Sequence, residues 1–268
     1  MAGIKLNEAL RAEYNRMFQT CVVRQTHTAI VNTLAQKLIA NLDRYANVGD
    51  PINVPWTFIA VTHNMESSQN FARHLHNGDP LTKRTVQVPA GRPKTGAPPF
   101  TWEESAADAL LLKKLNTWTD WTIAGTLYKL EEFNGWGYRK FHPDVKSPYL
   151  WSFSNHYLAG KYVADGTWSP TARSQQSGAA LLLRRMAELG FSGFTDQPVP
   201  ALDQFPAVVP YAATKPTDAA VIGAARRLQS WLSTHSGIFV QPDGWPGQRT
   251  SDAYKAVTGR FLPGDPRG

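Results

Sequence analysis

The sequence predicts a mainly helical protein with a small β-hairpin lobe and a short helical unit at its C-terminal end. Apolar residues recur at three- and four-residue spacing through most of positions 7–189, the mark of helices that bury one face. Helix-starting residues precede several of these runs. Strict alternation is confined to one short stretch, Thr85-Val86-Gln87-Val88.

The N-terminal stretch 1–17 reads as amphipathic, with Leu6, Leu10 and Tyr14 at helical spacing, and the first helix is expected over about 7–21. A second is expected over 28–45, carrying Ile30, Leu34, Leu38 and Leu42, and Asn47-Val48-Gly49-Asp50-Pro51 ends it with turn formers. Pro55, suited to a first helical position, opens the apolar run Trp56-Thr57-Phe58-Ile59-Ala60-Val61 that leads to Met65-Glu66-Ser67. From 76 to 100, six prolines and glycines after the alternating stretch predict a hairpin or an irregular lobe. Thr101-Trp102-Glu103-Glu104 reads as a capping box at the head of a helix reaching about 115. Further helices are expected over 119–133, 147–161 and 169–189. Five prolines between 190 and 216 read as a linker or a strap. The expected division is a catalytic domain over 1–195, a Pro-rich linker over 196–216 and a small module over 217–268.

A chain of 268 residues with 42% hydrophobic and 18% charged residues is long enough and apolar enough to bury a core. The single cysteine, Cys21, cannot close an intramolecular disulfide and reads as a small buried hydrophobe. No run approaches the ~18 apolar residues of a membrane span, and the N-terminus lacks the apolar core of a signal peptide, so stable membrane insertion is not expected. A net charge of +7 and a pI near 9.5 favour polyanionic partners. The basic residues are dispersed, with no basic run interleaved with aromatics, which argues against nucleic acid and leaves an anionic wall or outer envelope.

Glu66 is the first candidate for chemistry. A carboxyl group leaving a buried helix for a cleft keeps its proton near neutral pH, because desolvation disfavours the charged form. Its plain alternative role is a solvated glutamate at a helix end.

Glu66-Ser67 followed by Phe71 resembles the helix-terminal glutamate-serine motif of the lysozyme superfamily, above all lytic transglycosylases and goose-type lysozymes. Leu130-Glu131-Glu132-Phe133-Asn134-Gly135-Trp136-Gly137 is similar to the aromatic-asparagine-glycine segment those enzymes place across the sugar cleft, with Phe where Tyr is usual and Trp136 between the glycines. The resemblance implies a lysozyme-like fold in which Ser67, Asn134, Trp136 and Tyr138 bind substrate. The order Glu66, Asp79, Thr85 is similar to phage-type lysozymes, which implies that Asp79 and Thr85 orient a water, although the gap from Glu66 to Asp79 is longer here. The other role for Asp79 is as a turn former in Asn77-Gly78-Asp79-Pro80. Glu103 and Glu104 suit the first turn of a helix, and Glu131 and Glu132 lie nearer the expected sugar site.

His63, His74 and His76 lack the spacing and the further ligand of a zinc site, so neither metal nor cofactor is expected. Nine tryptophans and nine tyrosines include a cluster after the cleft motif, of which Trp136 and Tyr138, beside glycines, are expected to be exposed. Over about 45 residues, Leu228-Gln229 and Asp243-Gly244-Trp245-Pro246-Gly247-Gln248-Arg249-Thr250-Ser251-Asp252-Ala253 resemble the three-helix peptidoglycan-binding domain, without its closing aromatic-glutamine pair. In that signature Asp243-Gly244 makes a left-handed bend, Thr250 caps a helix and Ala253 permits close packing, which leaves Trp245 and Arg249 for wall contacts.

Together the resemblances imply a monomeric, bacteriolytic peptidoglycan hydrolase of the phage endolysin type. It would be made in the host cytoplasm without a signal peptide and would act on the cell wall after release. The expected reaction is cleavage of the β-1,4 bond between N-acetylmuramic acid and N-acetylglucosamine. The alternatives are a lytic transglycosylase with one glutamate, a related chitinase, and a non-catalytic wall-binding or virion structural protein.

Overall fold

The computed structural model describes residues 3–164, 166–189, 191, 193–196, 206–233, 235 and 238–268. Among them the chain is mainly helical and holds one two-stranded sheet. It divides into two compact units, Met1–Arg185 and Met186–Gly268.

The first unit opens with α1 (Glu8–Gln19), whose N-cap Asn7 accepts from the Leu10 N–H at 2.9 Å. The stretch 28–45, expected as one helix, is two: α2 (Thr28–Ala40) and α3 (Leu42–Gly49), broken at Asn41. Its core face is Val31, Ala35 and Leu38, while Ile30 is exposed. The turn residues after Tyr45 do not end it, because Val48 and Gly49 are buried within α3 and a single 3-10 turn, Asp50–Ile52, follows. Pro55 stands at the N-cap of α4 (Trp56–Ser67), one place before the expected position.

Every residue from Thr57 to Asn64 is buried. A helix apolar all round belongs inside a core, and α4 packs against α3 and against α6 (Ile123–Asn134). Between them, α5 (Trp102–Leu112) carries the expected capping box, with Thr101 and Glu104 each bonding the other's backbone N–H. The helix expected over 147–161 shrinks to α8 (Pro148–Trp151), preceded by the short α7 (Gly137–Phe141). The chain then turns into the antiparallel pair β1 (Lys161–Ala164) and β2 (Thr167–Ser169), with Tyr162 opposite Trp168. The helix expected over 169–189 is α9 (Ala179–Glu188), starting ten residues later than the sequence pattern. Gly178, at its entry, lies so close to α8 that an added Cβ would sit 2.2 Å from the Leu150 carbonyl oxygen.

Of the hairpin or irregular lobe expected over 76–100, the structure has the irregular lobe, and its hairpin lies at 161–169 instead. Residues 85–88 form no strand but an irregular loop, with Val86 75% and Val88 91% exposed. Two exposed valines cannot hold a strand without a face to bury, and the loop is fixed by side chains instead.

In the second unit α10 (Ala219–Leu232), capped by Asp218, packs on α11 (Gln248–Thr258). Those are its two complete helices among the described residues, against the three expected. Leu228, Leu232, Val240, Ala253 and Leu262 form its core, and Val209 joins them. So 206–216, expected as linker, is fastened to this unit, with the Tyr211 N–H on Pro263 O at 2.8 Å and the Ala212 N–H on Pro246 O at 3.0 Å. Residues 197–205 of the expected linker lie outside the described residues.

Candidate functional site

The last turn of α4 is closed without help from Glu66. Ser68 and Gln69 both adopt left-handed backbone, φ 52° and 60°, and their N–H groups return to Asn64 O and His63 O. Gln176 Nε2 donates to the carbonyls of Asn64 and Met65 at 2.8 and 2.9 Å. Two successive non-glycine residues in this region cost on the order of 1 kcal/mol each, and such strain gathers at functional positions.

Glu66 is half-buried at this helix end. Its Oε1 accepts a hydrogen bond from the Tyr149 hydroxyl at 2.9 Å. Burial pushes its carboxyl up to about 7, against the smaller opposing pulls of the Tyr149 hydrogen bond and the Lys113 ammonium. Lys113 also donates to Phe133 O at 3.4 Å and lies 4.7 Å from the Phe133 ring centre. One lysine thus links the acid to the residue before Asn134. Sequence reading missed both Tyr149 and Lys113: Tyr149 is 83 residues from Glu66, and no local pattern marks either.

Ser67 is buried and its hydroxyl returns to His63 O at 3.3 Å, so it serves the helix end rather than a ligand. Asn134 is the exposed last residue of α6. It lines a pocket of ≈ 510 Å³ together with Gly135, Tyr138, Phe141, Tyr162 and Gly166. Tyr138 is buried at 9% exposure, not open as its glycine neighbours led us to expect. It still lines the pocket, fixed edge-on to Tyr162 and Trp168 with ring centres 5.5 and 5.8 Å apart. Trp136 is half-buried against Tyr128 at 5.1 Å and is not part of the lining, while Phe141 and Tyr162, which sequence reading did not single out, are.

Asp79 and Thr85 both fasten the loop that follows them. Asp79 is buried, and one oxygen, Oδ2, accepts from the N–H groups of Val86 (2.8 Å) and Gln87 (3.1 Å) and from Asn77 Nδ2 (3.0 Å). Burial raises its carboxyl, but these hydrogen bonds outweigh it and hold the group below the usual aspartate range. Thr85 is buried too; its hydroxyl donates to Pro89 O and accepts from the Arg92 N–H at 2.9 Å. Through Asp79 Oδ2 and the Thr85 hydroxyl the two residues brace the backbone of 86–92 in place of the expected strand.

The remaining carboxylates are engaged in structure. Glu103 pairs with Arg44 at 2.7 Å, Glu104 closes the capping box, and Glu132 pairs with Lys129 at 2.6 Å. Glu131 is buried, taking the Tyr14 hydroxyl at 2.5 Å and Arg139 Nε at 2.8 Å on one oxygen. Its burial raises it, against the pull of Arg139.

His63 sits among Tyr45, Phe71 and Trp102, and burial lowers it to about 4. His74 and His76 both reach Ser105, and His76 Nε2 meets Asp108 at 2.7 Å, where Arg92 adds a two-pronged pair. These contacts tie the 76–92 segment to α5. No group of three or more His, Cys, Asp or Glu able to hold a metal occurs among the described residues.

In the second unit Gln229, 1% exposed, is the hub. Its Nε2 donates to Asp243 Oδ1 (2.8 Å), Trp245 O (3.0 Å) and Thr250 Oγ1 (3.0 Å), and its Oε1 accepts from the Gly244 N–H (2.9 Å). Gly244 has φ 79°, the left-handed bend expected of it. Thr250 lies inside the first turn of α11, whose N-cap is Gly247, so it fastens the preceding turn rather than capping the helix. Trp245 is 39% exposed with its indole N–H on Ala212 O at 2.8 Å, and Arg249 is exposed.

No protein-family model, curated protein or solved structure matches this chain. Among the described residues, no helix is long and apolar enough to cross a membrane.

Proposed function

We propose that the chain is a lysozyme-like, endolysin-type enzyme that cleaves the β-1,4 bond between N-acetylmuramic acid and N-acetylglucosamine in peptidoglycan. The observation that carries this reading is Glu66, whose carboxyl is pushed up to about 7 beside Tyr149 and Lys113. Near neutral pH it gives its proton to the bridging oxygen, the glycosidic bond breaks, and the carboxylate left behind is received by the Tyr149 hydroxyl and the Lys113 ammonium. The attacking hydroxyl then returns a proton to Glu66.

The bonding of Asp79 and Thr85 favours the route that needs one glutamate. In that route the muramic acid's own C6 hydroxyl attacks, and the product is a 1,6-anhydromuramic end, as in a lytic transglycosylase. The second unit serves as the wall anchor, with exposed Trp245 and Arg249 as contact residues.

Mass spectrometry of fragments released from purified sacculi tests both points. Wild type is expected to release fragments with anhydro ends. Glu66→Gln is expected to lose on the order of 10²–10⁴-fold in rate while still binding sacculi. Wild-type release by the Gln variant refutes the acid; reducing ends refute the one-glutamate route; binding without any release makes the protein a wall-binding component.

A further inference from the structure

The loop from Thr85 to Arg92 is closed at its neck by three hydrogen bonds: the Thr85 N–H on Arg92 O (2.9 Å), the Gly91 N–H on Thr85 O (2.7 Å) and the Arg92 N–H on the Thr85 hydroxyl (2.9 Å). Asp79 takes the N–H groups of Val86 and Gln87, and Pro89 has none to offer. The backbone donors thus turn inward while the side chains at the tip face solvent. Val86 is 75% and Val88 91% exposed, the two highest values of any large apolar residue among the described residues. A single apolar residue on a surface is ordinary, but here two stand within three positions on a tip whose bracing holds them out of the core. Cations gather at the base of the same loop. Lys83 and Arg84 lead into its neck, Arg92 and Lys94 lead out, and the Lys94 ammonium stands 3.4 Å from where a Cβ on Gly91 would lie. Across residues 71–100 the sequence has one carboxylate, Asp79, which is buried and turned to the loop amides. Asp108 matches Arg92, but Arg84 donates to a neutral partner, Gly96 O at 2.7 Å, and Lys83 and Lys94 are exposed.

Apolar side chains at a tip, cations behind them and amides already bonded within the protein are the chemistry of a segment that enters the headgroup layer of an anionic bilayer. The valines leave water for the acyl boundary, the cations meet lipid phosphates, and the amides of Val86, Gln87 and Gly91 carry their hydrogen bonds with them. We propose that the 83–94 loop is a docking surface for an anionic lipid membrane, with Val86 and Val88 in the interface and Lys83, Arg84 and Lys94 around them. An acidic polysaccharide would engage the cations and leave the valines in water, and an apolar protein face would cover the valines and leave the cations uncompensated. The binding is peripheral, two side chains deep. It draws neither on Glu66 nor on the glycan-cleaving reading above.

The test is sedimentation of the full-length protein with vesicles of phosphatidylcholine alone and of phosphatidylcholine mixed equally with phosphatidylglycerol, at low and at physiological salt. Binding to the anionic vesicles is expected, weakening as salt rises, and about tenfold weaker binding to the neutral ones. Val88→Asp, and Lys83→Ala combined with Lys94→Ala, all at exposed positions, are each expected to weaken anionic binding about tenfold. In methyl NMR of the wild type, a nitroxide-bearing lipid is expected to broaden the Val86 and Val88 signals ahead of those of the buried Val31 and Val61. Absence of binding at millimolar anionic lipid, equal binding to both vesicle types, affinity unchanged in both variants, or broadening that spares Val86 and Val88 overturns the proposal. A Val88→Asp protein that keeps its vesicle affinity yet loses self-association or sacculus binding overturns it as well, and assigns the tip to a second copy of the chain or to the wall.

Discussion

Replacing Tyr149 by Phe removes one hydroxyl and leaves the ring, so it isolates a single hydrogen bond to the proposed acid. In the folded protein that hydroxyl donates to Glu66 Oε1 at 2.9 Å, which favours the charged carboxylate and opposes the effect of burial. A hydrogen bond to a charged group contributes about 1.5–3 kcal/mol, and part of it persists to the protonated acid. A net loss of ~1.4 kcal/mol corresponds to one pH unit. Glu66 acts when protonated, so activity is expected to fall as pH rises through about 7 in the wild type. In Tyr149→Phe that falling limb moves to higher pH by about one unit. The assay is the pH profile of kcat/KM on purified peptidoglycan, paired with a carbon-13 titration of the Glu66 carboxyl. A limb that stays in place, or moves to lower pH, refutes the claim that Tyr149 and burial set the proton on Glu66.

Asp79→Asn keeps an acceptor oxygen for Val86 and Gln87, so it is expected to retain activity within about tenfold of wild type on sacculi; a loss as deep as that of Glu66→Gln restores Asp79 as a second catalytic carboxylate. Gln229→Leu leaves the buried Gly244 N–H without its acceptor and should lower the stability of the second unit by about 1–3 kcal/mol, read by denaturant unfolding. Arg139→Met strips the buried Glu131 of its cation while Tyr14 remains, and an expected loss of about 3–5 kcal/mol should appear as a lower thermal midpoint.

The features that were legible in the sequence are those whose partners are near in the chain. The capping box at Thr101 needs only Glu104, three residues on, and the left-handed Gly244 needs only its own missing Cβ. The two roles open to Asp79 look alike in the sequence because both begin with the same four residues, Asn77-Gly78-Asp79-Pro80. What separates them is the placement of the Val86 and Gln87 amides, seven and eight residues away in a loop without periodicity. The expected strand at 85–88 failed for a related reason: alternation marks a strand only when one face finds something to cover it, and these valines find nothing. The 147–161 helix stops at Trp151, and two residues on Phe153 takes a left-handed φ of 67° that a helix cannot hold.

By itself the sequence determined the helical class, the helix starts with local caps and the position of a carboxyl at the end of an apolar helix, since each depends on contacts within a few residues. Only the tertiary structure decided that burial raises this carboxyl. Desolvation is a property of everything that surrounds a group, and around Glu66 that includes Tyr149, 83 residues distant, and Lys113 from the end of another helix. The same holds for the pocket at Asn134, whose walls come from α6, α7 and the hairpin at 161–169 and meet only when the chain has folded.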